Sequence, residues 1–222
     1  LTKNNITVIN RGIDTKYFNQ PLDVVTRDNI IKTHQIDTAK KIILFPARMT
    51  SWKGQLEFID VIKKMDTQNV LVLFVGDTKN ESYTKLVRDK IKNNNLTNTF
   101  KILGSVNQGE LRSLYQIADL SVSFPLRAEG FGRTVSESLY SNTPVLAFDY
   151  GGVKNQLENL SDLFKVKPHD YQGLPKKIEV LLNLNEDQKK DALQDAQLVI
   201  EKNFSKTNMV NQYMKLYESI KS

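Results

Sequence analysis

Cysteine is absent from the sequence, and histidine and tryptophan are rare, with two and one residues among 222. The absence of cysteine excludes disulfide bonds and zinc sites built from thiolates. The two histidines, His34 and His169, leave little for a histidine-based metal site or a serine–histidine hydrolase. Any chemistry must therefore come from carboxylates, lysines, arginines and backbone groups.

Long apolar runs are also missing, because no stretch approaches the roughly 18 apolar residues of a membrane-spanning helix. The composition, 40% hydrophobic and 25% charged, is ordinary for a soluble globular domain. The first residue is Leu1 instead of methionine. We therefore expect a soluble chain that is cut from a longer protein, whose upstream part carries half of the function.

Basic residues exceed acidic ones by 31 to 25, which gives a net charge of +6. A basic balance admits polyanions as partners, nucleic acid among them. The lysines are scattered, however, and pairs such as Lys40-Lys41 and Lys189-Lys190 fall on predicted solvent faces without aromatic residues between them. This pattern favours a solvated surface. A basic nucleic-acid-binding module stays open as an alternative.

Seven short runs rich in Val, Ile, Leu and Phe are typical of buried strands. They are residues 6–9, 42–45, 70–75, 100–103, 120–124, 145–148 and 163–166. Segments with apolar residues at helical spacing lie between most of them. Alternation of this kind, with strands that are continuously apolar, predicts a doubly wound α/β domain with a parallel sheet covered on both faces.

After residue 166 the pattern is helical only, over residues 174–184, 186–203 and 207–220. The last of these carries apolar residues at three-to-four spacing, which predicts an amphipathic helix. We accordingly divide the chain into a domain at residues 1–203 and a C-terminal helix at 204–222. That helix is expected to pack on the domain or on an N-terminal domain that the chain lacks.

Open α/β sheets bind ligands outside the carboxyl ends of their strands. The cations Arg48 and Lys53 follow one predicted strand and can hold a diphosphate, since Arg offers a planar fork and Lys a mobile charge. Ser51, between them, is a predicted N-cap of the next helix. The alternative is a pair of exposed, solubilising cations.

A second loop, Glu129-Gly130-Phe131-Gly132, follows the strand predicted at 120–124. Amides at a helix N-terminus attract phosphate, and carboxylates accept hydrogen bonds from sugar hydroxyls. Glu137 comes eight residues after Glu129, about 2.2 helical turns, which predicts that both lie on one face. The alternative is a helix-start carboxylate and an ordinary surface glutamate.

Four motifs occur in the order seen in retaining glycosyltransferases of family four, which the chain therefore resembles. They are Gly12-Ile13-Asp14 with Phe18, Ala47-Arg48 with Lys53-Gly54, Glu129 with Glu137, and Thr143-Pro144-Val145 with Gly151-Gly152. The resemblance implies a two-domain GT-B fold. It implies that this chain is the C-terminal, Rossmann-like half, with residues 1–203 binding the nucleotide-sugar.

The resemblance also implies a role for each site residue. Arg48, Lys53 and Glu129 would form the catalytic set, with the cations on the diphosphate and Glu129 on the donor sugar. Donor-binding residues would be Gly104, Ser105 and Val106 near the base, Gly130, Phe131 and Gly132 at phosphate or sugar, and Glu137 at the ribose. Arg133 would either add a phosphate contact or lie on the solvent face of its helix, and the second is favoured.

The expected activity is transfer of a hexose-like sugar from a UDP- or GDP-sugar to a glycan or lipid-linked acceptor in surface polysaccharide assembly. No metal and no cofactor besides the nucleotide-sugar substrate are expected. We expect a cytoplasmic protein, and its scattered lysines and terminal helix permit peripheral association with the inner face of the membrane. A sugar-nucleotide epimerase of the same architecture remains an alternative.

Overall fold

The computed structural model describes residues 6–158 and 160–221, and these form a six-stranded, wholly parallel sheet. The strands are β1 Lys41–Pro46, β2 Val70–Val75, β3 Phe100–Gly104, β4 Leu120–Ser123, β5 Val145–Phe148 and β6 Lys165–Val166. Their order in the sheet is β3-β2-β1-β4-β5-β6. The predicted doubly wound α/β fold is thereby confirmed.

The helices follow the strands along the chain. They are α1 Thr15–Phe18, α2 Val24–His34, α3 Gln55–Ile62, α4 Glu81–Asn93, α5 Gln108–Ile117, α6 Arg133–Tyr140, α7 Gly152–Leu157, α8 Leu174–Leu182, α9 Glu186–Phe204 and α10 Lys206–Lys221. Asparagine side chains begin α4, α5 and α9, where Asn80, Asn107 and Asn185 each accept a hydrogen bond from the backbone N–H three residues on. Such caps satisfy donors that a helix leaves free at its start.

Helices cover both faces of the sheet because successive strand residues point to opposite sides. In β1, Ile42 and Leu44 face one apolar core, which α5, α6 and α9 cover, while Ile43 and Phe45 face another, which α3, α4 and α8 cover. The side chains of both cores are almost completely shielded from solvent. This two-sided burial explains why the strands are continuous apolar runs.

The strand predicted at residues 6–9 is wrong. These residues have no regular structure, and the side chains of Ile6 and Val8 are 61% and 76% exposed. The sheet ends at β3 and β6, and neither edge pairs with residues 6–9. The strand predicted at 163–166 is shorter than expected, because Asp162–Phe164 form a 3-10 turn before β6.

The C-terminal helices return to the start of the domain. Between α9 and α10, Ser205 forms a parallel bridge with Ile13, whose N–H donates to the Phe204 carbonyl at 2.8 Å. The helix α10 leaves Val210, Tyr213, Met214, Tyr217 and Ile220 exposed. Among the described residues, no helix is both long and apolar enough to cross a bilayer.

Gly54 and Gly104 offer a matched test of how closely the loop after β1 packs against the segment after β4. Both have left-handed φ angles, +86° and +78°, but a Cβ on Gly54 would collide with the Phe124 carbonyl oxygen, whereas one on Gly104 would meet nothing within 4 Å. Gly104→Ala should cost about 1–2 kcal/mol. Gly54→Ala should cost about 3 kcal/mol or more, measured by urea unfolding. Equal costs would contradict the packing described.

Candidate functional site

The candidate site lies where the strand order reverses, between β1 and β4. The loop after β1, residues 47–54, and the loop after β4, residues 124–132, therefore meet at one edge of the sheet. The Leu126 N–H donates to the Trp52 carbonyl at 2.7 Å and ties the loops together. Gln55 donates to the Arg48 carbonyl at 2.9 Å and fixes the first loop.

Ser51 does not cap the following helix, contrary to our prediction. The chain makes a turn in which the Lys53 N–H donates to the Thr50 carbonyl at 3.0 Å, and α3 begins only at Gln55. Gly54 is the N-cap residue, and no side chain caps this helix. Because of this turn, Lys53 lies in the loop before α3 and not in the helix.

Lys53 and Glu129 form an ion pair between the two loops. Their side chains are only 16% and 14% exposed, and the Lys53 ammonium lies 4.3 Å from the ring centre of Trp52. The structure thus brings together two of the three residues assigned to catalysis. The third, Arg48, lies beside a neighbouring cavity.

Two cavities follow this edge of the sheet and share Thr134. The larger, of about 660 Å³, is lined by Val8, Ile9, Asn10, Arg11, Lys53, Glu129, Gly130, Phe131, Gly132, Arg133, Thr134 and Asn155. The smaller, of about 260 Å³, is lined by Pro46, Ala47, Arg48, Val75, Gly76, Asp77, Ser105, Val106, Leu111 and Thr134. Eight of the ten predicted site residues are thereby divided between two adjoining cavities, and Gly104 and Glu137 line neither.

The backbone amides of residues 130–134 donate no hydrogen bond to any part of the chain that the structure describes. All five residues line the larger cavity. They form the glycine loop and the first turn of α6, where a helix presents unpaired donors and the positive end of its dipole. A row of unpaired amides in a cavity is suited to a phosphate or another anion.

Gln156 holds the glycine loop from behind, and sequence reasoning missed it. Its buried amide donates to the Phe131 and Gly132 carbonyls and its carbonyl accepts from Ser136. The Gly152 N–H donates to the Glu129 carbonyl at 2.7 Å. No local sequence signal separates such a glutamine from a surface one.

Glu129 and Glu137 do not share a helical face, contrary to our prediction. The helix α6 begins at Arg133, so Glu129 lies in the preceding loop and helical spacing does not apply to it. Glu137 is 4% exposed and lines neither cavity. It accepts from the Tyr115 hydroxyl at 3.2 Å, and Arg133 Nη2 lies 2.7 Å from its other oxygen.

Burial raises the pKa of Glu137, because desolvation disfavours its charge, and Arg133 and Tyr115 offset this effect in part. Burial and the neighbouring carboxylate raise the pKa of Tyr115 well above its usual range, so its hydroxyl remains a donor. Arg133 is 55% exposed, which agrees with the expected position on the solvent face of its helix, but its guanidinium is also paired with Glu137 and lines the larger cavity.

Gly104, at the end of β3, lines neither cavity, although its carbonyl accepts from the Gly76 N–H at 2.9 Å. The next two residues, Ser105 and Val106, do line the smaller cavity. Within the described part of the chain, no group of three or more His, Asp or Glu side chains could hold a metal ion.

The strand order and a crevice at the switch point define a Rossmann-like domain of the kind found in GT-B glycosyltransferases. A family model described as Glycosyl transferases group 1 matches residues 26–197, and the chain belongs to that family.

Solved structures share this fold. A glycosyltransferase from Rickettsia africae superimposes with a TM-score of 0.92 at 29% identity, over 99% of this chain and 58% of that one. HepE of Anabaena, crystallised with UDP and glucose, superimposes with a TM-score of 0.82 at 22% identity, over 96% and 57%. The second likeness supports the fold alone.

Among curated proteins, the trehalose synthase of Thermococcus litoralis is 28% identical over 205 residues. The alignment covers 88% of this chain and 49% of that protein. The chain thus spans about half the length of the curated relatives it matches.

Glu137→Gln tests whether the buried charge is costly. A carboxyl group with a raised pKa in the folded protein stabilises it at low pH and loses that contribution as the pH rises through the folded pKa. Glutamine does not ionise, so the variant should gain stability over the wild type between about pH 4 and pH 7. Urea unfolding at both pH values measures the difference. The exposed Glu218→Gln is the control, and a pH-independent difference for Glu137→Gln would contradict the prediction.

Proposed function

We propose that the chain is the donor-binding domain of a retaining family-four glycosyltransferase. The enzyme would move a hexose-like sugar from a UDP- or GDP-sugar to a glycan or lipid-linked acceptor in surface polysaccharide assembly. The observation that carries the proposal is the larger cavity. In it, the Lys53–Glu129 ion pair and the unpaired amides of residues 130–134 line one space.

The diphosphate of the donor matches the positive groups of the two cavities. Lys53 and the amides of 130–134 line the larger cavity, and Arg48 lines the smaller one, which adjoins it at Thr134. A diphosphate between them would meet donors from both loops. Such groups need no reorganisation as negative charge develops on the leaving phosphate, and this kind of stabilisation is usually a large part of catalysis.

With the diphosphate placed in this way, positions can be proposed for the sugar, the ribose and the base of the donor. Glu129, already in the larger cavity, would accept hydrogen bonds from hydroxyls of the sugar. Glu137 would accept them from the ribose. Ser105 and Val106, in the smaller cavity, would lie near the base, with Gly104 behind them. HepE of Anabaena, of the same fold, was crystallised with UDP and glucose, which favours a nucleotide-sugar here.

The acceptor would bind to an N-terminal domain outside this chain, since the chain spans only about half of its curated relatives. That domain would supply the opposite wall of the crevice. The exposed apolar residues of α10 would pack against it or against a neighbouring part of the enzyme. The enzyme would act in the cytoplasm, with peripheral association at the inner face of the membrane.

The alternatives differ in what they bind or produce. A nucleic-acid-binding module needs a concentrated basic surface, whereas the lysines of this chain are scattered, and pairs such as Lys40-Lys41 and Lys189-Lys190 have no aromatic residues between them. Such a module would bind oligonucleotides with a steep salt dependence. An epimerase would isomerise the sugar when the full-length protein is given the donor alone.

Thermal unfolding with nucleotides tests the proposal. At 100 times its Kd, a ligand stabilises the native state by about 2.7 kcal/mol, so UDP or GDP should raise the Tm by several degrees. Lys53→Ala and Arg48→Ala should each weaken this protection by about tenfold in Kd or more, because a charge-assisted hydrogen bond contributes about 1.5–3 kcal/mol.

Lys85→Ala is the matched control, because Lys85 pairs with the exposed Asp89 on α4, away from the crevice. It should leave the protection unchanged. The isolated chain should bind a nucleoside diphosphate weakly and transfer little sugar. Protection by oligonucleotides but by no nucleoside diphosphate would overturn the proposed function.

A further inference from the structure

Arg133 belongs to two sites at once. It is the first residue of α6 and lines the larger cavity, yet its guanidinium lies 2.7 Å from the buried Glu137 carboxylate. Its own side chain is 55% exposed. The guanidinium is therefore both the counter-ion of a buried acid and accessible from the larger cavity.

In the structure the Glu137 carboxylate is held by protein groups and is closed to a ribose. One carboxylate oxygen faces Arg133 and the other accepts from Tyr115. Glu137 is almost fully buried and does not reach either cavity. If ribose hydroxyls are to bind this carboxylate, then the guanidinium must first leave it.

A destination for the guanidinium lies within the same cavity. The unpaired amides of residues 130–134 define the anion position, and Arg133 is itself one of these residues. Arginine binds phosphate oxygens through two parallel hydrogen bonds, so a diphosphate there offers it a better partner than solvent.

We propose that Arg133 exchanges partners when the donor binds. In the structure it pairs with Glu137. In the occupied site the ribose hydroxyls take its place on Glu137, and the guanidinium moves to the diphosphate. This inference rests on the proposed function, which it deepens by making Arg133 a diphosphate ligand and a determinant of specificity.

The exchange couples two parts of one ligand. A buried carboxylate left without a partner is costly, so Arg133 leaves Glu137 readily only when hydroxyls arrive to replace it. A ligand with a diphosphate but no ribose hydroxyls therefore cannot recruit Arg133. The site would thereby favour ribonucleoside diphosphates over inorganic diphosphate and over deoxy analogues.

The test compares UDP and GDP with their 2′,3′-dideoxy analogues, with binding measured by calorimetry on the wild type and on Arg133→Leu. The substitution should weaken binding of the ribonucleotide, by less than the roughly tenfold loss expected for one charge-assisted hydrogen bond, because the variant has no Arg133–Glu137 pair to break. It should leave the dideoxy analogue little changed. Arg88→Leu, which removes an exposed cation from α4, is the control for net charge.

Glu137→Gln provides the second arm. With no carboxylate to hold it, Arg133 would be free for the diphosphate without help from hydroxyls, so the dideoxy analogue should bind more tightly than to the wild type. Adding Arg133→Leu should remove this gain. The double variant separates this gain from the simple loss of a negative charge near the diphosphate, which Arg133→Leu would not cancel.

Two outcomes would overturn the exchange. One is an equal loss of affinity for ribonucleotide and dideoxy analogue in Arg133→Leu, which indicates a fixed role for the arginine. The other is unchanged binding of the dideoxy analogue to Glu137→Gln. Both leave the proposed function intact, whereas a wild-type chain that binds neither UDP nor GDP would refute the proposed function itself.

Discussion

The pairing of β1 with β4 is the constraint on which the candidate site depends. Strand order reverses at this pair, so the loop that carries cations and the loop that carries glycines leave the sheet side by side. Lys53 and Glu129, 76 positions apart in the sequence, can pair only for this reason. The contact of Gly54 with the Phe124 carbonyl shows how closely the two loops pack.

Four charged side chains of the site form two ion pairs, whereas a row of its backbone amides has no partner among the described residues. Lys53 pairs with Glu129 and Arg133 with Glu137, and the unpaired amides are those of residues 130–134. A sugar joined to a nucleoside diphosphate offers anionic oxygens to the cations and hydroxyls to the acids. Such a ligand can therefore replace both ion pairs without leaving a buried charge alone.

Much of the fold could be predicted from the sequence, because a strand buried on both faces must be apolar throughout, as residues 70–75 are. A continuous apolar run wrongly predicted a strand at residues 6–9, because apolar composition does not show whether a segment has a neighbouring strand to pair with. The capping preference of serine predicted an N-cap at Ser51, although a turn postpones the helix to Gln55. Both errors arise from contacts that local pattern does not contain.

For the site, the sequence predicted the types of group but not their partners. Helical spacing placed Glu137 beside Glu129 on the assumption that one helix carries both, and the actual start at Arg133 separates them. Burial raises the pKa of Glu137, and ionising this buried carboxyl group lowers the stability of the fold at neutral pH. Well-packed leucine or glutamine would avoid that cost. A buried carboxylate whose cationic partner lines a cavity is therefore better explained by ligand binding than by stability.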